Sequence, residues 1–298
     1  MAELGYDGRV AIVTGAAGGL GREHALLLAS RGAQVVVNDL GGAVDGTGGS
    51  EEPAAAVARE IEEAGGVAVA ESSTVATPAG GEAIVAKAIE AFGRVDIVVN
   101  NAGILRDKTF QKMTDDLVSP VIDVHLKGAF NVTRPAWIHM REQGYGRIVN
   151  TSSSSGILGN FGQTNYGAAK MGLVGLTRVM AAEGAKYGIK ANALAPVART
   201  RMTEELLGAM AERLDPACVA PVVAWLVHED CPVTGEIFSA GGGRVARFFI
   251  GMTEGVFDEH LTVEAVRDRF AAIRDESGYT VPSGPADEFA LLAKHFAG

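Results

Sequence analysis

The chain has 298 residues, 39 glycines, two cysteines and a net charge of −10, which excludes nucleic acid as a partner because neutralising phosphates needs a basic footprint. No apolar run reaches the roughly 18 residues of a membrane span, so no membrane partner is expected. Cys218 and Cys231 lack ligand spacing, and the six histidines are scattered, so neither a metal site nor a disulfide is expected.

Short apolar runs rich in β-branched residues alternate with helical stretches along the chain. In order they are RVAIVT, QVVVND, GVAVAE, RVDIVVN, GRIVNTS, IKANALA and EIFSAG. This is the pattern of an α/β protein with a seven-stranded parallel sheet, doubly wound, with helices on both faces. Buried helical segments could give similar runs, but the shortness and flanking glycines favour strands. Helices are expected over 19–31, 51–64, 78–92, 116–142, 165–187 and 216–228. The stretch GGAVDGTGGS at 41–50 reads as a mobile loop. After Gly243 the texture changes to a helical extension, in which Val263, Val266, Phe270 and Ile273 share one helical face and Phe289, Leu292 and Phe296 another. The expected organisation is a dinucleotide-binding and catalytic domain over 1–243, followed by an extension over 244–298 that covers the active site or a subunit interface. The termini, MAELGYDGRV and AKHFAG, carry neither a secretory nor a peroxisomal signal, so a cytoplasmic location is expected.

The first strand runs directly into TGAAGGLG, Thr14 to Gly21. At a strand-to-helix junction such a run is the phosphate-binding turn of a Rossmann-type fold. Gly15 takes positive φ, Gly19 lets the backbone approach a pyrophosphate beside Leu20, and Gly21 allows close helix packing. Asp39 ends the second strand, 24 residues past Gly15, followed by Leu40. Its carboxylate can accept from both ribose hydroxyls and repels a 2′-phosphate, which favours NAD as cofactor. A structural turn and a solvated aspartate are the alternatives. The third strand ends in ESSTV, with Ser73, Thr74 and Val75, and the fourth in NNAG, with Asn101, Ala102 and Gly103. Both ends are expected to face the cofactor, since ligands sit beyond the carboxyl ends of such strands.

TGxxxGxG, NNAG, a serine thirteen residues before YxxxK and a late AP…T segment occur here in the order seen in short-chain dehydrogenases/reductases, and the chain resembles that family over roughly residues 6–243. NDLGG with its long Gly-rich loop, NNAGILRDKTF, VHLKGAFNVTRPAW and GNFGQTNYGAAK resemble one subgroup more narrowly, the dehydrogenase domains of peroxisomal multifunctional enzymes. The resemblance implies a (3R)-3-hydroxyacyl-CoA dehydrogenase with Pro196 and Thr200 beside the nicotinamide, and a homodimer or homotetramer formed through the helices at 116–142 and 165–187. Ser73 stands where the family usually has an adenine-contacting Asp. His125 stands where most members carry an Asn that holds a proton-relay water, and a simply packed histidine is the other reading.

The chemistry centres on Tyr166 and Lys170, four apart on one helix face, where the ammonium can lower the phenol's pKa from about 10 so that it acts as a base. Ser153 can polarise the carbonyl or stabilise the alkoxide. The expected function is interconversion of a secondary alcohol and a ketone on a small-molecule substrate, an acyl-CoA or a steroid. A 17β-hydroxysteroid-type dehydrogenase differs only in pocket shape. A non-catalytic NAD-sensing regulator would have no need of Ser153, Tyr166 and Lys170 together. Arg244 and Arg247 are placed to meet anionic groups of a long substrate.

Overall fold

The computed structural model describes residues 3–199 and 212–296. The chain divides into two compact units, Met1–Arg247 and Phe248–Gly298.

Strand β1 (Val10–Thr14) is buried along its whole length. Its side chains alternate between two cores, with Ala11 and Val13 on one face and Val10 and Ile12 on the other. That double burial is why these strands read as unbroken apolar runs. The chain continues through α1 (Gly19–Ser30), β2 (Gln34–Asn38), α2 (Glu52–Glu63), β3 (Val67–Glu71), α3 (Pro78–Phe92) and β4 (Ile97–Asn100). After β4 come α4 (Asp115–Ile122), a wide π turn over Asp123–Lys127 and α5 (Gly128–Gln143). Then follow β5 (Gly146–Thr151), α6 (Ser154–Leu158), α7 (Thr164–Gly184), β6 (Ile189–Pro196), α8 (Ala220–Val227), β7 (Ile237–Gly241) and β8 (Arg244–Phe248). One core packs Ala25, Leu28, Val57, Ile61, Val223 and Leu226 from α1, α2 and α8 against the sheet. The other packs Ile84, Val85, Val132, Met140 and Met180 from α3, α5 and α7.

The strand order is β3-β2-β1-β4-β5-β6-β7-β8, parallel from β3 through β7. The winding reverses between β1 and β4, whose ends lie level because Val13 pairs with Val99. A crevice therefore opens above Thr14 and Asn100.

Four expectations need correction. The sheet has eight strands rather than seven, because Gly242 and Gly243, at φ 56° and 82°, make a two-residue reversal into β8. The helix expected over 116–142 is interrupted by the π turn at 123–127. The glycine-rich stretch at 41–50, expected to be mobile, is tied at both ends and in its middle. Ser50 N–H donates to Leu40 O at 2.9 Å, Leu105 N–H to Val44 O at 3.0 Å, and Arg106 Nε to Asp45 O at 2.8 Å. In the second unit the expected helix through Val263 and Ile273 splits into α9 (Val263–Asp268) and α10 (Phe270–Ile273) at Arg269, whose guanidinium pairs with Asp258. Val263 and Phe270 are exposed, as are Phe289, Leu292 and Phe296 on and beyond α11 (Pro285–Ala293), so the two apolar faces are not buried. That unit holds itself together through Thr253 Oγ1 on Ile273 O at 2.8 Å, a Met252–Thr280 bridge and the stacked Phe257 and His295 rings. No helix among the described residues is long and apolar enough to cross a membrane.

Candidate active site

A cavity of about 600 Å³ occupies the crevice at the carboxyl ends of the strands. Its floor is the turn after β1. Gly15 has φ 65°, open to glycine, and a Cβ at Gly21 would lie 2.1 Å from Gly15 O, so α1 packs onto the turn at a distance only glycine permits. Gly18 precedes α1 without any side-chain cap, which leaves the first-turn N–H groups facing the crevice for an anion.

The two strand ends on either side of the winding reversal are joined by polar groups. Thr14 Oγ1 accepts from Asn101 N–H at 3.0 Å and Ala102 N–H at 3.1 Å and lies 3.3 Å from Val99 O. Asn101 Nδ2 donates to Thr14 O and Gly15 O at 3.0 and 3.1 Å.

Asp39 faces the cavity at the end of β2. One carboxylate oxygen accepts from Ala17 N–H at 2.9 Å and the other from Gly41 N–H at 2.7 Å. The aspartate thus braces the glycine turn, a link that spacing alone does not show, and each oxygen keeps a lone pair for a ligand. Ser73 also lines the cavity, and its place is set by Glu71, which accepts from Ser73 N–H at 2.9 Å and from Asn38 Nδ2 at 2.6 Å.

Leu20, Leu40, Thr74, Val75, Ala102, Gly103 and Pro196 line the same cavity with Ser153, Tyr166, Lys170 and His125. Thr200 lies outside the described residues. Sequence reasoning missed Val44, Ile104, Leu105, Arg106, Asn160 and Gln163, which also line it. The long Gly-rich loop was the available signal for Val44, since a loop of that length beside a ligand site tends to contribute to it.

On α7, Tyr166 and Lys170 project together, with Nζ 5.5 Å from the phenol ring centre. Of the four adjacent serines, Ser152 is turned away, donating to Lys170 O at 2.8 Å. Ser153 caps α6, accepting from Ser155 N–H at 3.1 Å, and its hydroxyl favours the Tyr166 phenolate. His125 is buried and meets the Tyr166 ring edge-on at 5.2 Å. Burial holds its imidazole well below the usual histidine range, and Lys170 adds to that.

Burial raises the Tyr166 phenol, the Ser153 hydroxyl opposes that rise, and Asp107 adds to it. Burial also lowers Lys170 from its usual 10.5 to about 7, and Nζ donates to Thr151 O. The pair is therefore poised with the phenol protonated and the amine near its midpoint at neutral pH.

This geometry belongs to the short-chain dehydrogenases. The family model described as short chain dehydrogenase matches residues 9–210, and the chain is a member of that family. A Mycobacterium tuberculosis protein named as a short-chain type dehydrogenase/reductase is 53% identical over 92% of this chain and 96% of its own. Peroxisomal multifunctional enzyme type 2 of Mus musculus is 48% identical over 94% of this chain, which spans only 38% of that enzyme. Hydroxyacyl-CoA dehydrogenase of Mycobacterium tuberculosis is 41% identical over 80% of this chain and 79% of its own. Among solved structures, full-length peroxisomal multifunctional enzyme type 2 from Drosophila melanogaster superposes with a TM-score of 0.82 at 40% identity, covering 98% of this chain and 50% of that one.

The Lys170 shift predicts a pH dependence of stability. Its folded pKa, about 7, lies below the unfolded value, so between the two the unfolded chain holds more protons and stability rises with pH. Below about 7 the full cost of the buried ammonium is present. Thermal unfolding of the cofactor-free protein should show Lys170→Met gaining on wild type at pH 6, with the difference shrinking as pH rises toward 9. A difference that is flat over this range would refute the buried, depressed lysine.

Proposed function

We propose that the chain is an NAD-dependent oxidoreductase that interconverts (3R)-3-hydroxyacyl-CoA and 3-oxoacyl-CoA. The observation that carries this reading is the convergence of Ser153, Tyr166 and Lys170 on one cavity with the glycine turn and Asp39. The turn and the open N-terminus of α1 suit a pyrophosphate, and the two oxygens of Asp39 suit a ribose with both hydroxyls free. A 2′-phosphate there would meet the carboxylate at short range. Bound nicotinamide would supply the hydride acceptor.

In the oxidative direction Tyr166 acts once it has passed its own proton to the neutral Lys170 amine; the phenolate oxygen then takes the substrate hydroxyl's proton as the carbon loses hydride, and in reduction the phenol returns it. Ser153 donates to the same oxygen, alkoxide or carbonyl, and holds it in line. Lys170, buried with Nζ on Thr151 O, sits close enough for its charge to favour the phenolate once protonated. Its midpoint near neutrality lets it take up that proton without a large cost. The acyl-CoA substrate is supported by the likeness to a hydroxyacyl-CoA dehydrogenase. A steroid dehydrogenase would use the same residues, and a regulator that only senses NAD would not need them.

The same reading includes a two-fold assembly, supported by Phe130 and Ile138 exposed on α5 and Met171 and Val179 exposed on α7. A cytoplasmic location, and a second unit serving as substrate cover or subunit contact, belong to the proposal on sequence grounds.

The direct test is NADH formation from a panel of (3R)-3-hydroxyacyl-CoAs and hydroxysteroids. Activity on the acyl-CoAs with at least about tenfold preference for NAD over NADP is expected, and Asp39→Ala should narrow that preference. Equal use of both cofactors, or turnover of steroids alone, would overturn the respective part. Tyr166→Phe should lower turnover by roughly 10²- to 10⁴-fold with NADH binding kept; lost binding would assign the tyrosine a folding role. Light scattering at micromolar concentration should give a dimer or tetramer, and a monomer would remove the assembly.

A further inference from the structure

The loop before α7 brings a second hydrogen-bond donor toward the phenol. Gln163, at the head of α7, lies one turn ahead of Tyr166, so the two side chains are neighbours, and both line the cavity. The segment that follows β4 is laid against this loop by two ties. Lys108 N–H donates to Gly162 O at 2.8 Å, and Asn165 Nδ2 donates to Arg106 O at 2.9 Å. Between those ties Asp107 meets Gln163, whose Nε2 donates to the Asp107 carboxylate at 2.6 Å. At the other end of the same amide, Oε1 accepts from Asn160 Nδ2 at 2.9 Å.

These contacts leave no choice of amide orientation. A carboxylate only accepts, so the group turned to Asp107 must be the NH2, and Asn160 engages the oxygen. One hydrogen of that NH2 is spent on Asp107. No acceptor among the described residues takes the other, although the side chain is buried. A buried donor left unpaired is costly unless a ligand or a water uses it. The cavity that Gln163 lines is where such an acceptor can stand.

The polarity of the cavity walls says which acceptor fits. With the C3 oxygen of a 3-oxoacyl thioester held by Ser153 and Tyr166, the two arms of the substrate leave C3 in different directions. One arm is an alkyl chain, and the other carries the thioester carbonyl at C1. Val44, Ile104, Leu105 and Pro120 give part of the cavity an apolar wall, whereas Asn160 and Gln163 make the wall one turn before the phenol polar. An alkyl chain against Gln163 would leave its donor unpaired, and a thioester oxygen would satisfy it. We propose that Gln163, aimed by Asp107 and Asn160, is a specificity-determining residue that donates its free Nε2 hydrogen to the C1 carbonyl of a 3-oxoacyl or 3-hydroxyacyl thioester. The anchor rests on the catalytic reading above. It gives the site a second hold, two carbons from the reacting one, that a ketone without an oxygen at that place cannot use.

The test compares two ketones that differ at C1 alone. 3-Oxodecanoyl-CoA carries the thioester carbonyl, and the thioether S-(3-oxodecyl)-CoA has a methylene in its place while keeping the ketone, the chain and the whole of CoA. NADH oxidation is followed with each compound for the wild type, Gln163→Met and Asp107→Ala, with folding checked by circular dichroism. Gln163→Met keeps the length of the side chain and removes the donor. Its kcat/KM should fall at least about tenfold further for the thioester than for the thioether, the size of one lost hydrogen bond. Each compound is compared with itself in the wild type, so the greater intrinsic reactivity of the 3-oxo thioester cancels. Asp107→Ala, at an exposed position, leaves the amide unaimed and should shift the same ratio in the same direction by about threefold or more. Equal losses on the two compounds in Gln163→Met would reduce the residue to a support of the Tyr166 helix and overturn the anchor. An unchanged ratio in Asp107→Ala would overturn the aiming of the amide and the proposal with it, and this variant decides the matter if Gln163→Met does not fold. A wild type that reduces neither compound would overturn the catalytic reading itself, whereas a wild type active on both with a ratio indifferent to Gln163 would sink the anchor alone.

Discussion

The reversal of winding between β1 and β4 is the constraint on which the rest of the site depends. Helices on opposite faces draw the chain apart there, and the strand ends are left with backbone N–H groups that no neighbouring strand can take. Thr14 Oγ1 accepts from two of them within the crevice, and the Asn101 amide donates to the carbonyls of Thr14 and Gly15 left open beside them. A buried backbone group without a partner costs as much as a lost hydrogen bond, so these two short polar side chains are what let the cleft exist as a rigid feature. Everything the chemistry uses is then placed relative to that junction: Gly15 and Gly21 on one side, Gly103 and Ile104 on the other, with α7 across the opening.

The electrostatics of the site follow from dryness rather than from a simple charge pair. Tyr166 and Lys170 share a helix face, yet desolvation dominates both, pushing the phenol up and the amine down. Each is thereby biased to its neutral form, and the Ser153 hydroxyl favours the phenolate.

The layered sheet was legible because each strand is buried on both faces, which leaves an unbroken apolar signature such as VAIVT at 10–14. The site motifs were legible because glycine, aspartate and the Tyr166–Lys170 spacing encode backbone angles and side-chain faces that few alternatives satisfy. What could not be read were interactions that join distant segments. Asp39 on Ala17, Glu71 on Ser73 and Val44 on Leu105 depend on three-dimensional register, and no periodicity announces them. The eighth strand was missed because RVARF after two glycines has too few residues to show an alternation. In the second unit the apolar spacing of Val263 and Phe270 did not show that the helix breaks at Arg269.

Arg106 gives the glycine-rich strap a mechanical meaning. Its guanidinium holds Asp45 O in the strap and, at 2.7 Å, Asp116 O at the start of α4, while its own carbonyl accepts from Asn165 Nδ2 at 2.9 Å. Asn165 is the residue before Tyr166. The strap over the cofactor side and the helix that carries the phenol are thus yoked through one residue. Movement of the strap therefore pulls on bonds that end one residue before Tyr166, so the strap and the phenol cannot shift independently.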